Sequence, residues 1–299
     1  MAEIIERIKK KLPHVSLLLY ALAFLLLCIS VILALILGKA RRQPDPPAVD
    51  SPPAEPSAEV SASASPQPSQ PALLVTPEQI EQLSYTDSVL GELAWDLSEE
   101  ELLELNQTLV RYGIVSDEEI CHFLAQATVE TGAGQALTES GDEEYFRRRG
   151  YSTGTRGAGY LHLTHEYGQM AFATWMMKRY VSGLSGIRYV SPASHGADEI
   201  RDVYYAALQT AANLGLNISR YSRIVYDPDS TLTTGADYIA DQFAWESAGY
   251  YWSTTGIGEA LASDRRNGTD AASSLIGGTN WQSRREAYAA FYPILTSAE

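Results

Sequence analysis

Two glutamates, Glu130 and Glu139, stand nine residues apart in "FLAQATVETGAGQALTES", with "TGAG" between them. Two carboxyl groups facing one cleft, one holding its proton and the other ionised, are the equipment of glycoside hydrolysis. The spacing permits it, because nine extended residues reach at most about 30 Å and the glycines let the chain fold back. Upstream, Phe123, Ala127 and Glu130 fall at i, i+4 and i+7 of a helix opened by Ser116, so Glu130 continues the buried stripe and occupies the last turn. Burial and the negative end of the helix are both expected to raise its pKa, which is what a general acid requires. The competing reading is a solvated helix end, in a chain with 37 acidic residues. Asp142, Glu143 and Glu144 read as surface carboxylates, with the role of base in place of Glu139 left open for one of them.

Other side chains with chemical potential cluster nearby. His162 and His165 form an HxxH pair, but no third ligand stands at metal spacing, so hydrogen bonding in a cleft and packing are expected of them. No metal or organic cofactor is implied. Among the aromatic residues Tyr160, Trp245, Tyr250, Tyr251, Trp252 and Trp281, helical spacing assigns most to the core, and Tyr160 is the one expected to stack on a ligand. Arg147 to Arg149 form the one basic cluster of an otherwise acidic region, read as a solvated turn or as a contact for an anionic polymer or peptide carboxylate. Cys121, on a helix, is expected to be a small core residue. Cys28 lies in a separate apolar run and is not its partner.

The elements that must position these groups are mainly helices. "TPEQ" and "SEEELLELNQTLVRYG" each begin with a capping box, and the second carries Leu102, Leu105, Leu109 and Tyr112 on one stripe before Gly113. "SDEEICHFLAQATVETG" starts in the same way, and "GADYIADQFAWESAGYYW" and "NWQSRREAYAAFYPIL" read as helices with aromatic faces. Only "GAGYLHLTH" suggests a short strand. Between about 175 and 214 a loop or insertion, "SGLSGIRYVSPASHG", precedes a helix in "IRDVYYAALQTAANLG".

The front of the chain is organised differently. Residues 1–14 are basic, and Val15 to Gly38 are 24 residues without a charge, enough to cross about 30 Å of hydrocarbon as a helix. The run is longer than a signal-peptide core and ends in "GKARR", so an uncleaved anchor is expected, with the amino terminus cytoplasmic and the remainder extracytoplasmic. Residues 39–75, rich in Pro, Ser and Ala, read as an extended tether, leaving 76–299 as the folded domain. The net charge of −15 divides into +5 over residues 1–42 and −20 over the rest, which excludes nucleic acid as a partner.

Three segments in order, "YGIVSDEEICHFLAQATVETGAGQALTES", "RGAGYLHLTHEYGQ" and "AWESAGYYWSTTGIGEAL" continuing through "SLIGGTNWQSRREAYAAFY", resemble the family 19 glycoside hydrolases, the chitinase-like enzymes that include bacterial and phage endolysins. The resemblance covers most of 76–299 apart from 175–214. It implies a mainly α, lysozyme-like bilobal domain with at most a small β element. It implies Glu130 as general acid, Glu139 as general base and Thr164 as the hydroxyl that holds the attacking water. The chain departs from the family pattern at Val129 (usually His), Ala158 (Arg), His162 (Gln) and Ile276 (Asn). His162 and Asn280 are then the expected sugar contacts, Asn280 replacing in part the Asn lost at 276.

The resulting expectation is a membrane-anchored hydrolase of a β-1,4-linked N-acetylaminosugar polymer. Peptidoglycan is preferred because a tethered domain reaches only what lies near its own membrane. An inverting reaction requires carboxyl groups about 6.5–9.5 Å apart. The alternatives are a glycan-binding envelope protein that positions partners without turnover, a chitinase, and a lytic transglycosylase, which needs no base.

Overall fold

The computed structural model describes residues 73–88, 91–263 and 268–297. The basic tip, the apolar run 15–38, Cys28 and the tether as far as residue 72 lie outside the described residues. Among the described residues no helix is long and apolar enough to cross a membrane. Order is present by Val75, which is buried and whose backbone N–H and C=O both bond the Asn106 carboxamide at 2.9 Å.

Within the described residues the domain is mainly helical, with one two-stranded sheet. Helix α1 (Pro77–Gln82) leads into the antiparallel hairpin of β1 (Ser84–Asp87) and β2 (Gly91–Ala94), followed by α2 (Glu99–Tyr112) and α3 (Asp117–Thr131). The capping boxes at Thr76 and Ser98 are both formed, and Ser116 accepts from the Glu119 N–H. Gly113 ends α2 in the left-handed conformation that a side chain adopts at a cost. The expected strand at "GAGYLHLTH" is instead a tight turn, in which Ala158 makes isolated bridges to Thr138 and Leu163. The sheet sits at 84–94, where Tyr85 and Asp87 alternate inward and Tyr85 meets Phe291 edge-on.

Two apolar clusters organise the domain. The first gathers α2, α3 and α12 (Trp281–Leu295) around Leu105, Leu109, Phe123, Trp252 and Phe291. The second packs α5 (Glu166–Tyr180) on α6 (Ala197–Asn213), with Phe172, Met177 and Tyr204 at its centre. Between them α9 (Ala244–Thr254) gives Trp245, Ala248 and Trp252 to the first cluster and Tyr250 to the second. The stretch 181–196, between α5 and α6, is an ordered loop held by buried Leu184 and Val190, and the helix expected after it is α6. Cys121 is buried in the first cluster, where desolvation pushes its thiol far up, as expected of a packing residue.

Candidate active site

Glu130 and Glu139 line one cleft of about 370 Å³, together with Thr164, His162 and Asn280. The fold-back is built by three consecutive left-handed residues, Gly132, Ala133 and Gly134, immediately after α3. From there the chain returns to place Glu139 beside Gly157, whose carbonyl accepts the Glu139 N–H at 2.8 Å.

Glu130 keeps 17% of its side chain exposed and is held at both oxygens. Oε1 accepts from Arg284 Nη2 at 2.5 Å, and Nη1 of the same guanidinium donates to Gln126 Oε1 at 2.6 Å, one helical turn before Glu130. Arg284 lies on the buried stripe of α12 with Ala287, Phe291 and Leu295. Gly278, just before that helix, packs against the guanidinium so closely that a Cβ there would overlap Nη2. Oε2 stands 3.3 Å from His162 Nδ1.

The other ring nitrogen of His162, Nε2, is 3.3 Å from the Ala136 carbonyl, which can only accept. Nε2 therefore carries a hydrogen, and Nδ1 is the nitrogen that faces Glu130 Oε2. His162 itself sits at φ 48°, in the turn closed by its N–H to the Gly159 carbonyl at 3.1 Å. Burial pushes the Glu130 carboxyl up, but the His162 hydrogen bond and the Arg284 guanidinium outweigh it and hold the group below the usual range. This corrects the expectation of a raised pKa. Burial was anticipated, whereas the cation from α12 and the imidazole from the 159–162 turn come from distant sequence and reverse the sign.

Glu139 is an acceptor surrounded by donors. The Tyr151 hydroxyl reaches both oxygens, at 2.8 and 2.9 Å, the Tyr145 hydroxyl reaches Oε1 at 3.1 Å, and the Gly157 N–H reaches Oε2 at 3.2 Å. Burial, followed by this carboxylate, pushes Tyr151 up to about 12. Thr164 donates its hydroxyl proton to the His162 carbonyl at 2.7 Å, leaving its oxygen able to accept from a water. The Asn280 side chain makes no cap bond to α12, and the residue is exposed on the cleft.

Tyr160 is not a cleft residue. It is 2% exposed, with its ring stacked on Trp245 at 3.5 Å and tilted against Trp95 at 5.7 Å, so the aromatic core claims it. Of the carboxylates after Glu139, Asp142 caps α4 (Glu143–Arg148), Glu143 is exposed and Glu144 pairs with Arg147. His165 stacks on Tyr167 and meets Tyr151 edge-on, and among the described residues no three His, Cys, Asp or Glu side chains are grouped to hold a metal ion. Tyr145, Tyr151 and Arg284 complete the site without standing out in the local sequence. A usable signal existed for Arg284, a cation at the i, i+3, i+7, i+11 positions of an apolar stripe.

No family model, curated protein or solved structure matches the chain.

Proposed function

We propose that this chain hydrolyses a β-1,4 bond of an N-acetylaminosugar polymer, peptidoglycan, by inverting acid and base catalysis. The observation that carries the reading is the pair of unlike carboxyl sites in one cleft. Glu130 accepts from Arg284 and stands 3.3 Å from His162 Nδ1, while Glu139 accepts from three donors, two of them tyrosine hydroxyls. Glu130 would protonate the leaving oxygen, with His162 resupplying the proton. Glu139 would take a proton from a water whose second hydrogen is accepted by Thr164 Oγ1. The two apolar clusters bridged by α9 support a bilobal, lysozyme-like arrangement. The uncharged run 15–38 supports an anchor that holds the domain outside the cell membrane.

Turnover of purified peptidoglycan by the full chain, compared with Glu130→Gln, tests the proposal. The variant should lose at least about 100-fold, the lower range for a positioned general acid. Equal release of sugar ends by both proteins would refute it. The anomeric configuration of the first product, followed by proton NMR, tests inversion.

A second reading is favoured by one observation, the lowering of the Glu130 pKa by His162 and Arg284 against burial. In that reading the cleft binds glycan without cleaving it, and the anchored domain positions other envelope proteins. It predicts tight glycan binding with no turnover at any pH.

A further inference from the structure

The cleft holding Glu130 and Glu139 continues into a second chamber of about 600 Å³, within the usual size range of ligand pockets. The two share Arg149, Tyr151, His162, Thr164 and Ile276, so one groove passes from the reacting carboxylates to the chamber. Its far wall comes from Ser191 to Ala193, in the loop that interrupts the resemblance to chitinase-like enzymes, and from Tyr251 and Thr254 on α9.

The chamber is unusual for its charge. The folded part of the chain is strongly acidic, yet among the described residues no Asp or Glu lines this cavity, and Arg149 is its one guanidinium or ammonium group. Arg149 also differs from its neighbours. Arg147 is neutralised by Glu144, and Arg148 lines neither cavity, whereas Arg149 is exposed, forms no ion pair among the described residues and is held over the Tyr145 ring with its carbon 5.0 Å from the centroid. A guanidinium fixed beside an aromatic ring, which spends one contact on Tyr145 and has five N–H donors, matches a carboxylate.

We propose that Arg149 makes the chamber a subsite for a carboxylate-bearing substituent of the glycan, so that the groove selects a polymer with lactyl or peptide carboxylates over a neutral one such as chitin. This rests on the hydrolytic reading and gives it a substrate class from the pocket instead of from location. The neutral tyrosine and threonine lining accommodates the rest of the substituent, and the loop 181–196 supplies the wall that closes the subsite.

The test compares the full-length wild type, Arg149→Gln and Arg149→Glu on three glycans: a neutral N-acetylglucosamine oligomer, a peptide-stripped glycan retaining its lactyl carboxylate, and a peptide-bearing glycan. The ratio of kcat/KM for a carboxylate-bearing glycan over the neutral one should fall roughly 10- to 100-fold in Arg149→Gln, the range for a hydrogen bond to a charged group, and further in Arg149→Glu. Loss confined to the peptide-bearing glycan identifies the peptide as the source of the carboxylate, and loss on both identifies the lactyl group. Unchanged ratios overturn the proposal. Calorimetric binding of the same glycans in a Glu130→Gln background reads the same ratio without turnover. If the wild type cleaves none of them, the hydrolytic reading fails while the binding ratios still decide the role of Arg149.

Discussion

Replacing His162 by glutamine, the residue that the chitinase-like pattern carries at this position, removes a ring that can carry charge and leaves a side chain able to donate a hydrogen bond. In the wild type Nε2 keeps its hydrogen against the Ala136 carbonyl, and Nδ1 faces Glu130 Oε2 at 3.3 Å. Burial raises the Glu130 pKa, and the His162 contact and the Arg284 guanidinium together outweigh it. Glutamine keeps a hydrogen bond but carries no charge, so the carboxyl of His162→Gln should hold its proton to higher pH than that of the wild type. The alkaline limb of kcat/KM should thus move toward alkaline pH by about one unit, the lower end for the loss of a charged neighbour. Arg284 on α12, Tyr251 on α9, and Glu139, Tyr151 and Arg149 around the cleft are present in both proteins and cancel in the comparison. The assay is release of reducing ends from peptidoglycan between pH 4 and 9, with nitrogen-15 NMR of the imidazole as a readout independent of turnover. A variant with lower activity but an unmoved limb would refute the argument that His162 sets the Glu130 carboxyl and reduce His162 to a packing residue. So would an NMR spectrum showing Nε2 unprotonated at neutral pH.

Arg284→Met should destabilise the fold by about 3–5 kcal/mol at pH 7, because it strands the Glu130 carboxylate in a buried site. The loss should shrink as the pH falls and Glu130 takes up a proton, and a pH-independent change in the urea midpoint would contradict this. His122 is buried against Tyr288, where desolvation lowers its pKa from 6.5 to about 4, so the folded state excludes the charged form. Its contribution is full above pH 6.5 and is lost as pH falls toward about 4, reaching about 3 kcal/mol at ~1.4 kcal/mol per unit. His122→Phe, which keeps the ring stack, should flatten urea midpoints between pH 7 and 4.5, and an unchanged slope would count against the assignment.

Much of the scaffold was legible because helix starts and stops are local. The boxes at Thr76 and Ser98 and the left-handed Gly113 depend on residues within one turn of one another. The hairpin at 84–94 was missed since only Tyr85, Asp87 and Leu93 face inward, too few for a period of two to stand out. In the site, the turn after α3 and the two glutamates could be read from a dozen residues. The partners that set their protonation could not, as Arg284 lies 154 residues from Glu130 and its effect appears only when α12 packs on α3. Tyr160 misled for a related reason. A tyrosine beside a cleft loop looks available to a ligand until Trp245, 85 positions later, covers its face.

That buried stack governs more than its own burial. Tyr160 is two residues before His162 in a four-residue turn, so Trp95, Trp245 and Tyr160 clamp the loop that aims the imidazole at Glu130. A random-mutation screen for inactive variants should accordingly return substitutions at Trp95 and Trp245, positions that no sugar meets, because aim at the reacting pair is inherited from the domain's interior.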